Sequence, residues 1–290
     1  MVGAYPTMKE KTKLLKKVYG LIRKARIPRF LHHFGPKKFT SWQHLKCLIL
    51  KQILKCSFDT LISLLPFFGI RKIPKKSTLI KFTKRISAEI LNKILSCSAE
   101  IKESKIGAID ATGFSRTCAS EYYVKRIDRD SPTKSYVKTS IYVDVCRRKI
   151  LSARVRAKPA HDVKDVDYLL RNSQTISETN IMDKGYDSNK IHEKFRNKGK
   201  YTIIPARKGC VRGMYRKEMR DYFDYSQYWQ RNIIESVNSS VKRKFGSTLK
   251  AKKIWSQRCE IMCKLISYNL SFWLLKSLPK RQTFSPKPIG

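Results

Sequence analysis

Acidic side chains are scarce: 22 Asp and Glu stand against 63 Lys and Arg in 290 residues, a formal net charge of +41. A folded chain this basic repels itself unless it works beside a polyanion. Long apolar runs are missing too. The longest, LISLLPFFGI at 61–70, is too short to span a bilayer and contains Pro66. The opening MVGAYPTMKEKTKLLKK has no apolar core of the kind a secretory signal carries. The expectation is therefore an intracellular, cytoplasmic protein. The eight cysteines are scattered and include no C-x-x-C pair. Cys259 and Cys263 sit at helical spacing, but no nearby Cys or His pair completes a zinc site. A disulfide framework is excluded, and all eight read as reduced, mostly buried thiols.

What is present is a foldable chain. Hydrophobic residues make up 41%, too many for a disordered basic tail, and the cations are spread from end to end. The length allows one large domain or two ordinary ones, with no internal repeat. Nucleic acid is the leading partner, because neutralising phosphates releases counterions and gives strong, salt-sensitive binding. An anionic membrane surface is the weaker alternative.

The first hundred residues read as helical. A basic segment, 8–30, runs to Pro28. Residues 39–68 are apolar at helical spacing from a cap at Thr40 or Ser41, and Ser77 caps a further helix, STLIKFTKRISAEILNKILS. Residues 1–100 are thus expected to be a helical N-terminal domain, assigned here to DNA binding although no helix-turn-helix signature stands out. The pattern then changes. KIGAIDATGF (105–114) is a strand with an embedded acid, and 138–159 reads as two antiparallel strands turning near Arg147–Lys149. A helix follows at 162–173, a strand running into a turn at 179–188, a helix at 189–199 and a strand at 200–207. Residues 208–227 carry few structural signals. Two helices follow, 228–245 and 254–278, and 279–290 reads as a flexible tail. This order predicts an α/β (α+β) layout, a mixed sheet flanked by helices over 101–278. It resembles the order of an RNase H-like fold.

Three acids stand out. Asp110 lies in the first strand, Asp183 ends the fourth, and Glu235 is the one acid of YWQRNIIESVNSSVKRKF (228–245). On a helix, Tyr228, Arg231, Glu235 and Lys242 fall within roughly 60° of one another, opposite Ile233, Ile234, Val237, Val241 and Phe245. Taken alone, that segment is an amphipathic helix with an i,i+4 Arg231–Glu235 pair. Acids in apolar strands are costly unless paired, and divalent metal is a natural compensator. Each could instead be a strand-end turn former that caps neighbouring amides.

These blocks resemble the DDE transposases of prokaryotic insertion sequences, and more narrowly the insertion-sequence-four superfamily, which includes the insertion-sequence-five group. That family carries Y-x2-R-x3-E-x6-K, matched by Tyr228, Arg231, Glu235 and Lys242 without a gap. Its first acid is followed by a small residue and Thr or Ser, as in Asp110–Ala111–Thr112. Its second appears as D-x-G-Y-D, matched by Asp183, Gly185, Tyr186 and Asp187. Many members have a His-Asp pair between them, here His161 and Asp162, and P-x-x-S-T-L occurs at Pro74 to Leu79. The resemblance covers roughly residues 40 to 275. The short interval from Asp183 to Glu235 points to the compact members.

The resemblance implies an RNase H-like catalytic domain in which Asp110, Asp183 and Glu235 hold two Mg²⁺ ions, with Mn²⁺ as a substitute. It implies metal-dependent cleavage at transposon ends by water, then attack of the freed 3′-hydroxyl on target DNA, with no covalent protein intermediate. Arg231, Lys242 and Tyr228 would contact DNA, and Arg207 and Lys208 after the last strand are further candidates. The partner would be double-stranded DNA, terminal inverted repeats and target, bound as a homodimer, in a nucleoid-associated location. For His161 and Asp162 two readings stand, a place near the metal site and, ahead of it, a helix-starting Asp beside a solvent-facing His; Asp187 is read as the cap of the helix after its turn ahead of a metal ligand. The rivals are an RNase H-like nuclease without strand transfer and a retired transposase that only binds DNA.

Overall fold

Thr40 opens the first apolar helix. Its hydroxyl accepts from the Gln43 N–H at 3.2 Å, and its own N–H donates to the Gln43 amide oxygen at 2.8 Å. This capping box satisfies two donors that the first helical turn would otherwise leave unpaired. The computed structural model describes residues 8–32, 34, 37–116, 136–158, 160–209 and 212–277, so the expected tail at 279–290 lies outside the described residues. Helix α1 spans Met8–Lys24, ending before Pro28, and α2 spans Ser41–Ile53.

The apolar stretch 39–68 is not continuous. Lys55 adopts φ 53, and Ser57 caps a separate helix α3, Phe58–Leu64, that tightens into a 3-10 turn at Leu65–Phe68. Nor is Ser77 a cap. Helix α4 spans Lys76–Arg85 from Lys75, an exposed start whose free amides water can satisfy. It stops at an extended Ile86, and Ser87 caps α5, Ala88–Ala99, by accepting from the Ile90 N–H at 3.2 Å.

Five strands follow: β1 Ile106–Ser115, β2 Tyr136–Asp144, β3 Lys149–Arg156, β4 Thr179–Met182 and β5 Tyr201–Ile203. Their spatial order is β3-β2-β1-β4-β5. The first three pair antiparallel; β4 joins β1 in parallel, and β5 joins β4 in parallel. This is the RNase H-like arrangement expected from the element order. Helices α6, Val163–Arg171, and α7, Asn189–Arg196, precede β4 and β5 respectively. The stretch 208–227, expected to lack structure, contains α8, Met214–Asp221, and α9, Tyr225–Tyr228. Only Met219 of α8 is buried, so no apolar stripe advertises it. Helices α10, Asn232–Phe245, and α11, Ile254–Ser277, complete the described chain.

The sheet is covered on both faces. Ala108 of β1 joins a core with Ile234 and Val237 of α10, Ile49 of α2, Leu95 of α5 and Ile266 of α11. Its neighbour Ile109 points the other way, to Val166 and Leu169 of α6 and Phe195 of α7. Helix α11 packs on α2, α4, α5 and β3, which explains why it is apolar nearly all round. Among the described residues no helix is long and apolar enough to cross a membrane.

The outer edge of β3 is closed by two asparagines. The Asn269 amide oxygen accepts from the Ile150 N–H at 2.9 Å, and its NH₂ donates to the Ile150 carbonyl at 2.8 Å and to Ser98 Oγ at 2.9 Å. Asn92 makes the same two-way bond to Ala153, each arm 2.9 Å. These side chains stand in for the missing sixth strand and leave no open ladder at either residue. Asn269→Ala strands both polar groups of a buried Ile150 and is expected to cost about 2 kcal/mol or more. Urea unfolding measures it, and a midpoint equal to that of the parent would contradict this role.

Candidate active site

Strands β1 and β4 run side by side in parallel, and their ladder ends with Ile109 opposite Met182. The next residue on each is an acid, Asp110 and Asp183. Strand β4 stops at Met182, while β1 continues to Ser115. Asp110 therefore stands beside the gap that the shorter strand leaves. Because side chains alternate along a strand, Asp110 shares a face with Ala108, the face covered by α10.

Helix α10 buries Ile234, Val237 and Val241 against that face. An open cleft of about 590 Å³ runs between it and β1, lined by Asp110, Thr112, Glu235, Asn238, Lys242 and Ser247 among others. Burial pushes the Asp110 carboxyl above the ordinary value. The Ala111 N–H and Arg231 oppose that shift, and the charges of Glu235 and Asp183 add to it. The three acids thus converge closely enough for each charge to be felt at Asp110.

Arg231 Nη1 lies 3.0 Å from Glu235 Oε1, so the pair expected of an ordinary amphipathic helix is present as well. The regular stripe is not. Tyr228 ends α9 and Arg231 belongs to a 3-10 turn, Trp229–Arg231, so only Glu235 and Lys242 share one α-helix. Glu235 and Lys242 line the cleft, whereas Tyr228 and Arg231 do not line it but lie beside Glu235. Burial raises the Tyr228 hydroxyl pKa; Arg231 opposes this, while Asp183 and Glu235 reinforce it. The Lys242 ammonium sits 5.9 Å from the Phe114 ring centroid, at the cleft. Arg207 and Lys208 are exposed on the loop after β5 and do not line this cleft.

Asp187 is not a helix cap. Its carboxylate accepts from Arg216 Nε and Nη2, both at 2.7 Å, and from the Arg207 N–H at 2.9 Å. Burial would raise its pKa, but the Arg216 guanidinium and the Arg207 N–H together lower it. Its role is to pin the loop after β5 to the turn after β4. Asp162 does precede α6, beside an exposed His161, but its carboxylate pairs with Lys138 of β2 rather than capping the helix. That lysine had no signal in the sequence beyond a cation in an apolar strand.

The donor chemistry fits a hard divalent ion: Asp110 and Glu235 line the cleft, and Asp183, which does not line it, follows the neighbouring strand, all of them oxygen ligands. Among the described residues, however, no three His, Cys, Asp or Glu side chains are gathered tightly enough to hold an ion as they stand. Glu235 is 54% exposed and turned to Arg231.

A family model for the transposase DDE domain matches residues 101–270, more than half of the chain. The chain belongs to the DDE transposase family. The matched span contains the whole sheet and all three acids. It makes the chain an enzyme of the polynucleotidyl transferase class, acting in DNA transposition. No curated protein matches it. A solved piggyBac transposase synaptic complex with hairpin DNA is similar at a TM-score of 0.42 and 10% identity, over 92% of this chain and 75% of that one. A likeness that slight transfers no residue role.

The raised Asp110 carboxyl has a consequence for stability. A carboxyl whose pKa is higher in the folded than in the unfolded state destabilises the fold as pH rises and the group ionises. In divalent-free buffer at pH 7, Asp110→Asn is therefore expected to raise Tm, with the gain shrinking as pH falls into the ordinary carboxylate range. A lower Tm at pH 7, read by differential scanning calorimetry, would contradict the convergence of charge on this residue.

Proposed function

We propose that this DDE transposase is that of a prokaryotic insertion sequence, of the insertion-sequence-four superfamily, and that it cuts DNA at the transposon ends and joins them to target DNA. One observation carries the reading. Asp110 and Asp183 follow the last paired residues of adjacent parallel strands, and α10 brings Glu235 into one cleft with Asp110. Asp110, Asp183 and Glu235 are the residues that would hold Mg²⁺, or Mn²⁺ in its place. Bound there, divalent metal activates an attacking oxygen and stabilises the leaving one in an in-line displacement at phosphorus.

The chain's own side chains do the positioning. Arg231 pairs with Glu235, and its guanidinium beside that carboxylate suits a phosphate. Lys242 lies seven residues beyond Glu235, two turns along the same face, and supplies a second cation to the same strand of DNA. Tyr228, half-buried at the end of α9, offers a ring edge and hydroxyl to the DNA end. Arg207 and Lys208 extend the cationic surface past β5, and helices α1–α5 are the part of the chain proposed to recognise the ends. A formal charge of +41 supports DNA as the partner of both regions. Action as a homodimer on DNA belongs to the same reading.

Cleavage of a labelled end substrate tests the acids. Asp110→Asn, Asp183→Asn and Glu235→Gln are each expected to abolish cutting while DNA binding survives, and chelation by EDTA should do the same to the parent. A variant that still cuts would lose its place in the triad. Positioning is tested with a pre-cut end bearing a free 3′-hydroxyl and a supercoiled target. Arg231→Ala and Lys242→Ala should slow joining about a hundredfold with the fold intact, the cost of a misplaced phosphate. Parental rates in both would reduce the pair to a solvated charge stripe. A parent that cuts but never joins would be a nuclease.

A further inference from the structure

A second cationic surface lies on the β3 side of the sheet. A groove of about 690 Å³ opens between the end of β3, the α4–α5 junction and the start of α11. Arg154 and Arg156 line it from β3, Lys158 from the chain just after β3, Lys84 from α4, and Trp255 and Arg258 from α11. Glu89 is the single acid in that lining. It shares no residue with the acid cleft. In register Arg156 pairs with Lys138, which pairs with Gly113 on the strand of Asp110, but Arg156 turns to Asp165 on the α6 face, opposite the face of Asp110. Two strand spacings of about 4.8 Å separate β3 from β1.

The fold accounts for only part of this charge. Asp165 of α6 is fully buried and accepts from Ser140 Oγ at 2.7 Å. Arg156 pairs with it, Arg154 Nε lies 3.3 Å away and Lys138 Nζ 4.0 Å away. Lys138 is taken by Asp162, which leaves two arginines on one buried carboxylate, and Lys158, Lys84 and Arg258 add cations that pair with no acid among the described residues. Arg154 is also braced over the Tyr168 ring at 4.8 Å. The cations are held in place and presented together, as a site for a polyanion requires.

Trp255 selects among polyanions. It is 56% exposed, and the Arg258 guanidinium lies 4.8 Å from its ring centroid. A large indole, braced by one cation and otherwise open to a charged groove, offers a flat surface on which a base can stack. A duplex presents phosphates but keeps its base faces stacked; an unpaired strand presents both. We propose that this groove is a second nucleic-acid site, distinct from the acid cleft, which takes single-stranded DNA with an unpaired base on Trp255 and phosphates on Arg156, Lys158 and Arg258. It goes beyond the transposition reading and draws on it only for the presence of frayed or cut strands near the cleft.

Fluorescence anisotropy with the full chain tests it, using a labelled 20-nucleotide single strand and a blunt duplex of the same sequence at one salt concentration. Trp255→Ala is expected to weaken single-strand binding about tenfold, the order found for one stacked base, and to leave duplex binding within about twofold. Trp255→Phe should restore most of the loss, since a ring remains. Lys158→Ala should weaken the single strand and lessen its salt dependence by about one phosphate contact. Parental single-strand affinity in Trp255→Ala overturns the proposal, as does an equal loss for single strand and duplex. Because binding is read without cutting, a parent that binds as described but cleaves no DNA upholds the groove and rejects the function proposed for the cleft.

Discussion

The parallel pairing of β1 with β4 is the constraint on which the site depends. With Ile109 opposite Met182, the acids that follow each of them emerge at one level of the sheet. Had the two strands slipped by one residue, the alternation of side chains would turn one acid to the α6 face and leave the other facing α10. The core fixes the register from both sides: Ala108 and Ile181 belong to one cluster, Ile109 and Met182 to the other. Helix α10 then reaches the acids because its buried residues fit the same face. Packing, not any contact among the acids, brings them together against their mutual repulsion.

In a chain so poor in carboxylates, those that are buried divide by what surrounds them. Asp144 accepts from Ser104 Oγ at 2.6 Å and from the Arg147 N–H at 2.6 Å. Asp165 has two arginines, and Asp187 has Arg216 in a two-armed grip. These acids hold segments together. Asp110 differs in kind: burial and two neighbouring carboxylates raise its pKa, a cost that a fold has no structural reason to carry. The same surplus of cations that compensates the structural acids leaves Arg231 beside Glu235, Lys242 at the cleft and a further group on the β3 edge.

Much of this was legible in the chain itself. The strands were readable because β-branched and aromatic residues alternate within them, Asp110 and Asp183 because each interrupts or ends such a run, and Glu235 because it is the one acid in a basic helix. The breaks at Lys55 and Ile86 were not, since the apolar pattern continues across both and only backbone conformation marks the stop. Helix α8 was hidden by its polarity. The regular helical stripe from Tyr228 to Lys242 does not form, because the chain tightens to a 3-10 turn before Asn232. The role of Asp187 was hidden by distance: Arg216 lies 29 residues further on. The β3-edge groove draws on residues near 84, 154–158 and 255–258, which no local pattern unites.

The most direct measurement replaces a non-bridging oxygen of the scissile phosphate with sulfur and follows cleavage in two metals. Sulfur is a soft ligand that Mg²⁺ tolerates poorly and Mn²⁺ accepts better. If Asp110, Asp183 and Glu235 act on that phosphate through divalent metal, one phosphorothioate diastereomer should be cut slowly in Mg²⁺ and recover in Mn²⁺. The same substrate cut equally well, or equally badly, in both metals would contradict it.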